Sequence, residues 1–135
     1  MRRLAALIAV IAASATTATA DAKVLVRYDL SGGLAGTSER LVIHGDRSAE
    51  QTGGRGRGEH SLDFKVSAKQ MRALRRDLKA ARFSSLRRVY QPKYVVNDGF
   101  AQTVTYKRRR VVVYTGADFP ARLHTVLRRL ARLMR

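Results

Sequence analysis

Alternation of apolar and polar positions is the first pattern along the chain. Val24, Val26, Tyr28 and Leu30 interleave with Leu25, Arg27 and Asp29, a period of two that predicts a strand. Ser31 to Thr37 follows as a loop with Gly32, Gly33 and Gly36 around Leu34 and Ala35. Leu41 to Ile43 reads as a second strand closed by a turn at His44-Gly45-Asp46, and Ser48 to Thr52 as a weak third. Gly53-Gly54-Arg55-Gly56-Arg57-Gly58 reads as a flexible loop, the solvated tip of a hairpin, and Leu62, Phe64 and Val66 restore the period of two.

The period then changes. Ser67 and Gln70 form a capping box, and Val66 with Met71 a hydrophobic staple. Met71, Leu74, Leu78 and Ala81 share one face of a helix over 68–81, with Phe83 and Leu86 tucking in behind it. An irregular stretch from Gln91-Pro92 ends in the turn Asn97-Asp98-Gly99. Phe100, Val104 and Tyr106 mark a strand, Lys107 to Arg110 turn it back, and Val111 to Tyr114 reads as a strand covered on both faces or nearly so. Asp118 is positioned to cap a last helix with Pro120 in its first turn, and Leu123, Leu127, Leu130 and Met134 form its apolar stripe, flanked by Val126 and Leu133. The expected architecture is α+β: a small antiparallel sheet with both helices on one face, in the order β-hairpin(s), helix, β-hairpin, helix.

The N-terminus follows another rule. Arg2 and Arg3 precede an apolar run from Leu4 to Ala13, and small residues end in Ala18-Thr19-Ala20. This is the pattern of a signal peptide over 1–20, cleaved after Ala20, or after Ala22 at a second A-x-A site, and it predicts export. The run is too short to span a bilayer, which takes about 20 apolar residues, and no other stretch approaches its hydrophobicity. Residues 21–135 then form a single domain. The absence of cysteine removes disulfides and thiolate metal sites, so packing alone must hold it.

Charge changes the picture most. Lys and Arg number 27 against 10 Asp and Glu, a net charge of +17. Such an excess predicts attraction to polyanions, and for an exported chain anionic cell-wall polymers, lipid headgroups or an acidic protein fit better than nucleic acid. Substitution of surface Lys by Arg in a GC-rich genome would account for the preference for Arg over Lys without a function. Arg55, Arg57, Arg108, Arg109 and Arg110 are the candidate anion-binding residues. The basic last helix could lie on an anionic surface, although its apolar stripe is needed to close the core.

Catalytic patterns are not legible. His44, His60 and His124 have no local metal-ligand partner, no Gly-x-Ser-x-Gly elbow occurs, and the 53–58 tract lacks the Lys-Ser/Thr of a phosphate loop. No cofactor or metal is implied, and the reading is a monomeric binding domain without enzymatic activity. The loop 31–37 is longer than a minimal hairpin turn, so Leu34 either folds onto the core or is presented to a cleft on a partner.

Arg27 to Gly36, with its run Ser31-Gly32-Gly33-Leu34-Ala35-Gly36, resembles the opening strand and glycine signature of the emfourin family, small protein inhibitors of thermolysin-like zinc metallopeptidases. Phe64 to Ser67, the Leu74–Phe83 helix, Asn97 to Phe100 and Phe119 to Leu123 are similar, in the same order, to that family's later motifs. The signal peptide, the Gly-Arg tract and the stronger basicity depart from it, and Gln102 stands where the family pattern has tyrosine. The resemblance implies a secreted metallopeptidase as partner. Ser31, Gly32, Gly33, Leu34, Ala35 and Gly36 would enter the protease cleft, with Leu34 in the pocket just after the scissile bond and the Gly33 carbonyl near the zinc. The other reading is a basic cell-surface module for anionic polymers or membrane, without inhibitory activity. The export reading predicts that N-terminal sequencing of protein from the culture medium finds Asp21 or Lys23 first, and Met1 on a cytosolic protein would overturn it.

Overall fold

The computed structural model describes residues 22–55 and 58–135, with the backbone alone for Arg55. The signal-peptide expectation lies outside these residues. Among the described residues seven strands form one sheet: β1 (Val24–Gly32), β2 (Thr37–His44), β3 (Ser48–Arg55), β4 (Gly58–Lys65), β5 (Val89–Tyr90), β6 (Phe100–Tyr106) and β7 (Arg109–Tyr114). Their order across the sheet is β4-β3-β2-β1-β6-β7-β5. Two helices complete the fold, α1 (Ala68–Ala80) and α2 (Ala121–Leu133). It is the α+β class the periodicities predict.

The strand register fixes which side is covered. Val26 and Tyr28 of β1, Leu41 and Ile43 of β2, Val104 of β6, and Val111 and Val113 of β7 point to one side and are buried. Met71, Leu74 and Leu78 of α1 and Leu123, Val126, Leu127 and Leu130 of α2 close over them in a single core. The opposite face carries Arg27, Asp29, Arg40, Glu50 and Thr105, and an Arg40–Asp29 bond of 2.5 Å crosses it. Both helices therefore lie on one face, as their apolar stripes require.

Capping follows the sequence at α1 and departs from it at α2. Ser67 Oγ accepts from the Gln70 amide and Gln70 Oε1 from the Ser67 amide, each at 3.1 Å. Pro120, not Asp118, is the α2 cap, and its carbonyl accepts the Leu123 and His124 amides at 3.0 and 3.2 Å. The proline ring fixes its φ at −61°, so the carbonyl is already aimed and no carboxylate takes part.

Arginines then join the helices. Arg129 Nε donates to the Asp77 carboxylate, and Arg122 Nε donates to the Ala81 carbonyl, 2.8 Å away, at the C-terminal end of α1. A cation there meets both an orphan carbonyl and the negative end of the helix dipole.

Two expectations are corrected. The 53–58 tract is not a loop from end to end: β3 and β4 form a hairpin there and pair as far as its described residues, with Gly53 opposite His60, Gly54 opposite Glu59 and Arg55 opposite Gly58. Glycine serves close approach there, since a Cβ on Gly53 would lie 2.2 Å from Glu39 Oε2 and one on Gly54 2.3 Å from the Gly58 carbonyl. The sheet is not wholly antiparallel, because β5 runs parallel to β7, and two residues are too few to leave a period in the sequence. In the valine run Val111 and Val113 are buried, while Val112 is half-buried on the open side.

Tyr28 carries the clearest pH signature. Its hydroxyl donates to Gln102 Oε1 at 3.0 Å, at the position where the emfourin pattern has tyrosine. Burial pushes the Tyr28 hydroxyl up to about 12 from the ordinary 10.0. The unfolded chain loses this proton first, so the contribution is complete below pH 10 and disappears as pH rises to about 12, at most about 3 kcal/mol. Denaturant melts of the protein and of Tyr28→Phe should therefore converge above pH 10, and a constant difference across that range would refute the assignment.

Candidate functional site

The ends of the strands differ in chemistry, and the apolar end forms around the turn after β1. Gly32 pairs with Phe100, and the Gly33 amide donates to the Gly99 carbonyl at 3.2 Å. Gly32 has φ +124°, and a Cβ there would lie 2.4 Å from the Gly99 carbonyl oxygen. On Gly33, at φ +76°, it would lie 2.8 Å from Phe100 Cζ. These two glycines let the turn settle on the chain entering β6. Fitting an external cleft, the role the resemblance gives them, is not what their conformation requires. Gly36, at φ +62°, faces open space and donates its amide to the Gly33 carbonyl at 3.1 Å.

Leu34 crowns the turn and is 88% exposed, so it does not fold onto the core, one of the two outcomes the sequence leaves open. Ser31 and Ala35 are also exposed. Beside them runs the segment between β5 and β6, in which Tyr94 is 82% and Val95 94% exposed. A groove of about 340 Å³ lies against it, bounded by Pro92, Tyr94, Val96, Phe100 and Tyr114. Leu34, Tyr94, Val95, Val96, Phe100 and Tyr114 are six of the nine large apolar side chains exposed among the described residues. Such clustering marks an interaction surface more than scattered exposure does.

Sequence reading missed the second half of this surface. Tyr94-Val95-Val96 stands between Pro92 and the Asn97-Asp98-Gly99 turn with no periodic partner, and that was the available signal. The base of the segment is rigid. Thr115 Oγ1 accepts the Phe100 amide at 2.8 Å, and a Cβ on Gly116 would meet Val96 Cγ2 at 3.2 Å.

The four described candidate anion-binding arginines do not converge. Arg55 ends β3 near the Leu34 end of the sheet, and Arg57 lies outside the described residues. Arg108 sits at the opposite end, in the β6–β7 turn. Arg109 is tied down, its Nη2 donating to the Leu86 carbonyl at 2.6 Å. Arg110 is exposed, and alternation in β7 sends it to the face opposite Arg109.

The histidines stand on separate elements with separate partners. His44 Nδ1 is 2.8 Å from the Ala22 carbonyl, His60 Nε2 is 3.1 Å from Glu39 Oε2, and His124 stacks on Phe119 at 5.8 Å between ring centres. Among the described residues no group of three His, Cys, Asp or Glu could hold a metal, and no helix is long and apolar enough to cross a membrane.

The two glycines predict an asymmetric mutational response. Gly32→Ala forces backbone apart and should cost about 2–3 kcal/mol in thermal or denaturant unfolding, whereas Gly36→Ala meets only the positive-φ penalty of about 1 kcal/mol. Equal costs would mean that Gly32 does not anchor the turn on Gly99. In comparison with protein-family models and with curated proteins, the chain matches none.

Proposed function

We propose that the protein is an exported inhibitor of a secreted thermolysin-like zinc metallopeptidase and engages it through the turn 31–36. The exposure of Leu34 on a turn with an immobilised base carries this reading. Such enzymes, as a class, favour a bulky apolar side chain just after the scissile bond, and Leu34 is the one large apolar side chain in the turn. Preorganisation lowers the ordering cost of binding, and Gly32 and Gly33, fastened to Gly99 and Phe100, supply it. The Gly33 carbonyl already accepts the Gly36 amide, which leaves one lone pair for an approach to zinc. Tyr94 and Val95 extend the contact beyond the cleft, with apolar area that survives salt.

Leu34→Ala is the test, with a secreted thermolysin-like peptidase as target. Losing a buried interface leucine should weaken inhibition by about 2–4 kcal/mol, or about 30- to 1,000-fold, and leave the melting temperature at the parent's value. The parent complex should persist in about 0.5 M salt, where the Debye length is a few ångströms. A parent that inhibits no such enzyme, or a variant that inhibits equally well, would overturn the proposal.

A further inference from the structure

The end of the sheet opposite Leu34 carries a different surface. Three adjoining grooves run across it and share residues. The first lies beneath the C-terminal end of α1, between Lys79, Arg82, Lys107 and Arg109. The second, of about 930 Å³, shares Lys107 with it and adds Lys23, Arg27, Arg75 and Arg108. The third shares Arg75 and Gly45 with the second and adds Arg47 and Arg72. Along this track ten cations meet one carboxylate, Asp46, which accepts from Ser48 N and Oγ at 2.9 and 2.6 Å.

Two observations set these cations apart from a merely basic surface. Among the described residues none of the ten is ion-paired. The arginines that reach a carboxylate, Arg40, Arg76 and Arg129, all lie outside the track. The second observation is conformational. Among the described residues five non-glycines have positive φ, and four of them are the track's Arg47 (74°), Arg82 (51°), Lys107 (47°) and Arg108 (64°). Cations are 27 of 135 residues, so composition alone would put about one of the five in this class. Tight turns at positive φ favour glycine and asparagine, and long side chains held there instead mark positions where function outweighs local stability.

We propose that this track is a binding site for a linear phosphate polymer, a chain of phosphodiesters such as a poly(glycerol phosphate). Concavity suits an extended chain. Arginine forks suit phosphate oxygens, and seven of the ten cations are arginine; Arg75 and Arg109 also hold the Gly45 and Leu86 carbonyls, which leaves the forks of Arg27, Arg47, Arg72, Arg82 and Arg108 to face a ligand. A bilayer surface fits poorly, since Val24 is the one exposed large apolar side chain on the track. A single-stranded nucleic acid fits poorly as well. Tyr106, its one tyrosine, is half-buried with Lys107 over the ring at 5.5 Å and Phe83 edge-on at 5.3 Å, which leaves no open platform for a base.

The turn supplies its own test. Lys107 and Arg108 are the two central residues of a tight hairpin, and Asn-Gly is the preferred pair for that geometry. Lys107→Asn with Arg108→Gly therefore removes two track charges while relieving the backbone. Arg128→Ala with Arg132→Ala removes two exposed charges from α2, outside the track. Binding of poly(glycerol phosphate) and of inorganic polyphosphate is measured by calorimetry from 50 to 200 mM salt. If about six phosphates are neutralised, affinity should fall about 300-fold over that range, a log–log slope near −4. The turn variant should bind about 10-fold more weakly at 100 mM salt, with a slope near −3 and a melting temperature equal to or above the parent's. The α2 variant should bind within about twofold of the parent. Equal losses in the two variants would mean diffuse attraction without a track. Tighter binding of poly-glutamate or of a single-stranded oligonucleotide than of either phosphate polymer would overturn the assignment, as would a parent that binds no phosphate polymer.

Discussion

Burial of two helical apolar stripes against one face of a twisted sheet is the interaction on which this molecule rests. No disulfide supplements it, so Val26, Tyr28, Leu41, Ile43, Val104 and Val111 must meet Leu74, Leu78, Leu123 and Leu130 in a single core. At about 25 cal/mol per Å² the burial of such side chains is the main favourable term, and it is available only where the helices reach. Towards the far end of the β3–β4 hairpin the inner face changes from apolar to polar: Ala49 and Phe64 join the core, whereas Gln51 bonds to the backbone of Arg135, and Glu39 of β2 lies between Gln51 and His60.

Because both helices occupy one face, the other is left to charge pairs and threonines, and distinctive chemistry moves to the ends of the strands. One end presents Leu34 with Tyr94, Val95 and Phe100, and the other presents the basic track. The antiparallel connections enforce this separation. The β1–β2 turn lies beside the entry to β6, while the β6–β7 turn lies beside the start of β1. An apolar contact insensitive to salt and an ionic one sensitive to it can therefore operate on one rigid body without competing for the same area.

What was legible in the sequence follows from how far each signal reaches. The α1 capping box needs only Ser67 and Gln70, and the stripes of α1 and α2 need only their own helices. These features survive folding because they are local. Gly53 and Gly54 misled for the opposite reason. Their glycine answers to Glu39 and Gly58 across the sheet, and no local pattern shows a neighbour that folding brings within 3 Å. Leu34 was half legible. Its glycine setting marks the turn as unusual, but only the packing of Gly33 on Phe100 decides that the side chain points away from the core. The arginines of 108–110 look like one cluster on paper, yet strand alternation sends Arg109 and Arg110 to opposite faces and leaves Arg108 in the turn.

A uniform compositional bias toward arginine would scatter cations over whatever surface the fold leaves open. The fold sorts them instead. Arg122 and Arg129 bind α2 to α1, Arg109 holds the Leu86 carbonyl, Arg75 the Gly45 carbonyl, and Arg40 the Asp29 carboxylate. These cations are structural fasteners whose forked donors reach backbone carbonyls or carboxylates that lysine would satisfy less well. Arg47, Arg82, Lys107 and Arg108 are different, because a positive φ costs each about a kcal/mol that glycine or asparagine would not incur. Bias alone gives no reason for that cost to fall where turns border a groove. Retaining it at four positions in three turns along one end requires a benefit that the folded chain by itself does not supply, and an anionic polymer lying across those turns supplies one.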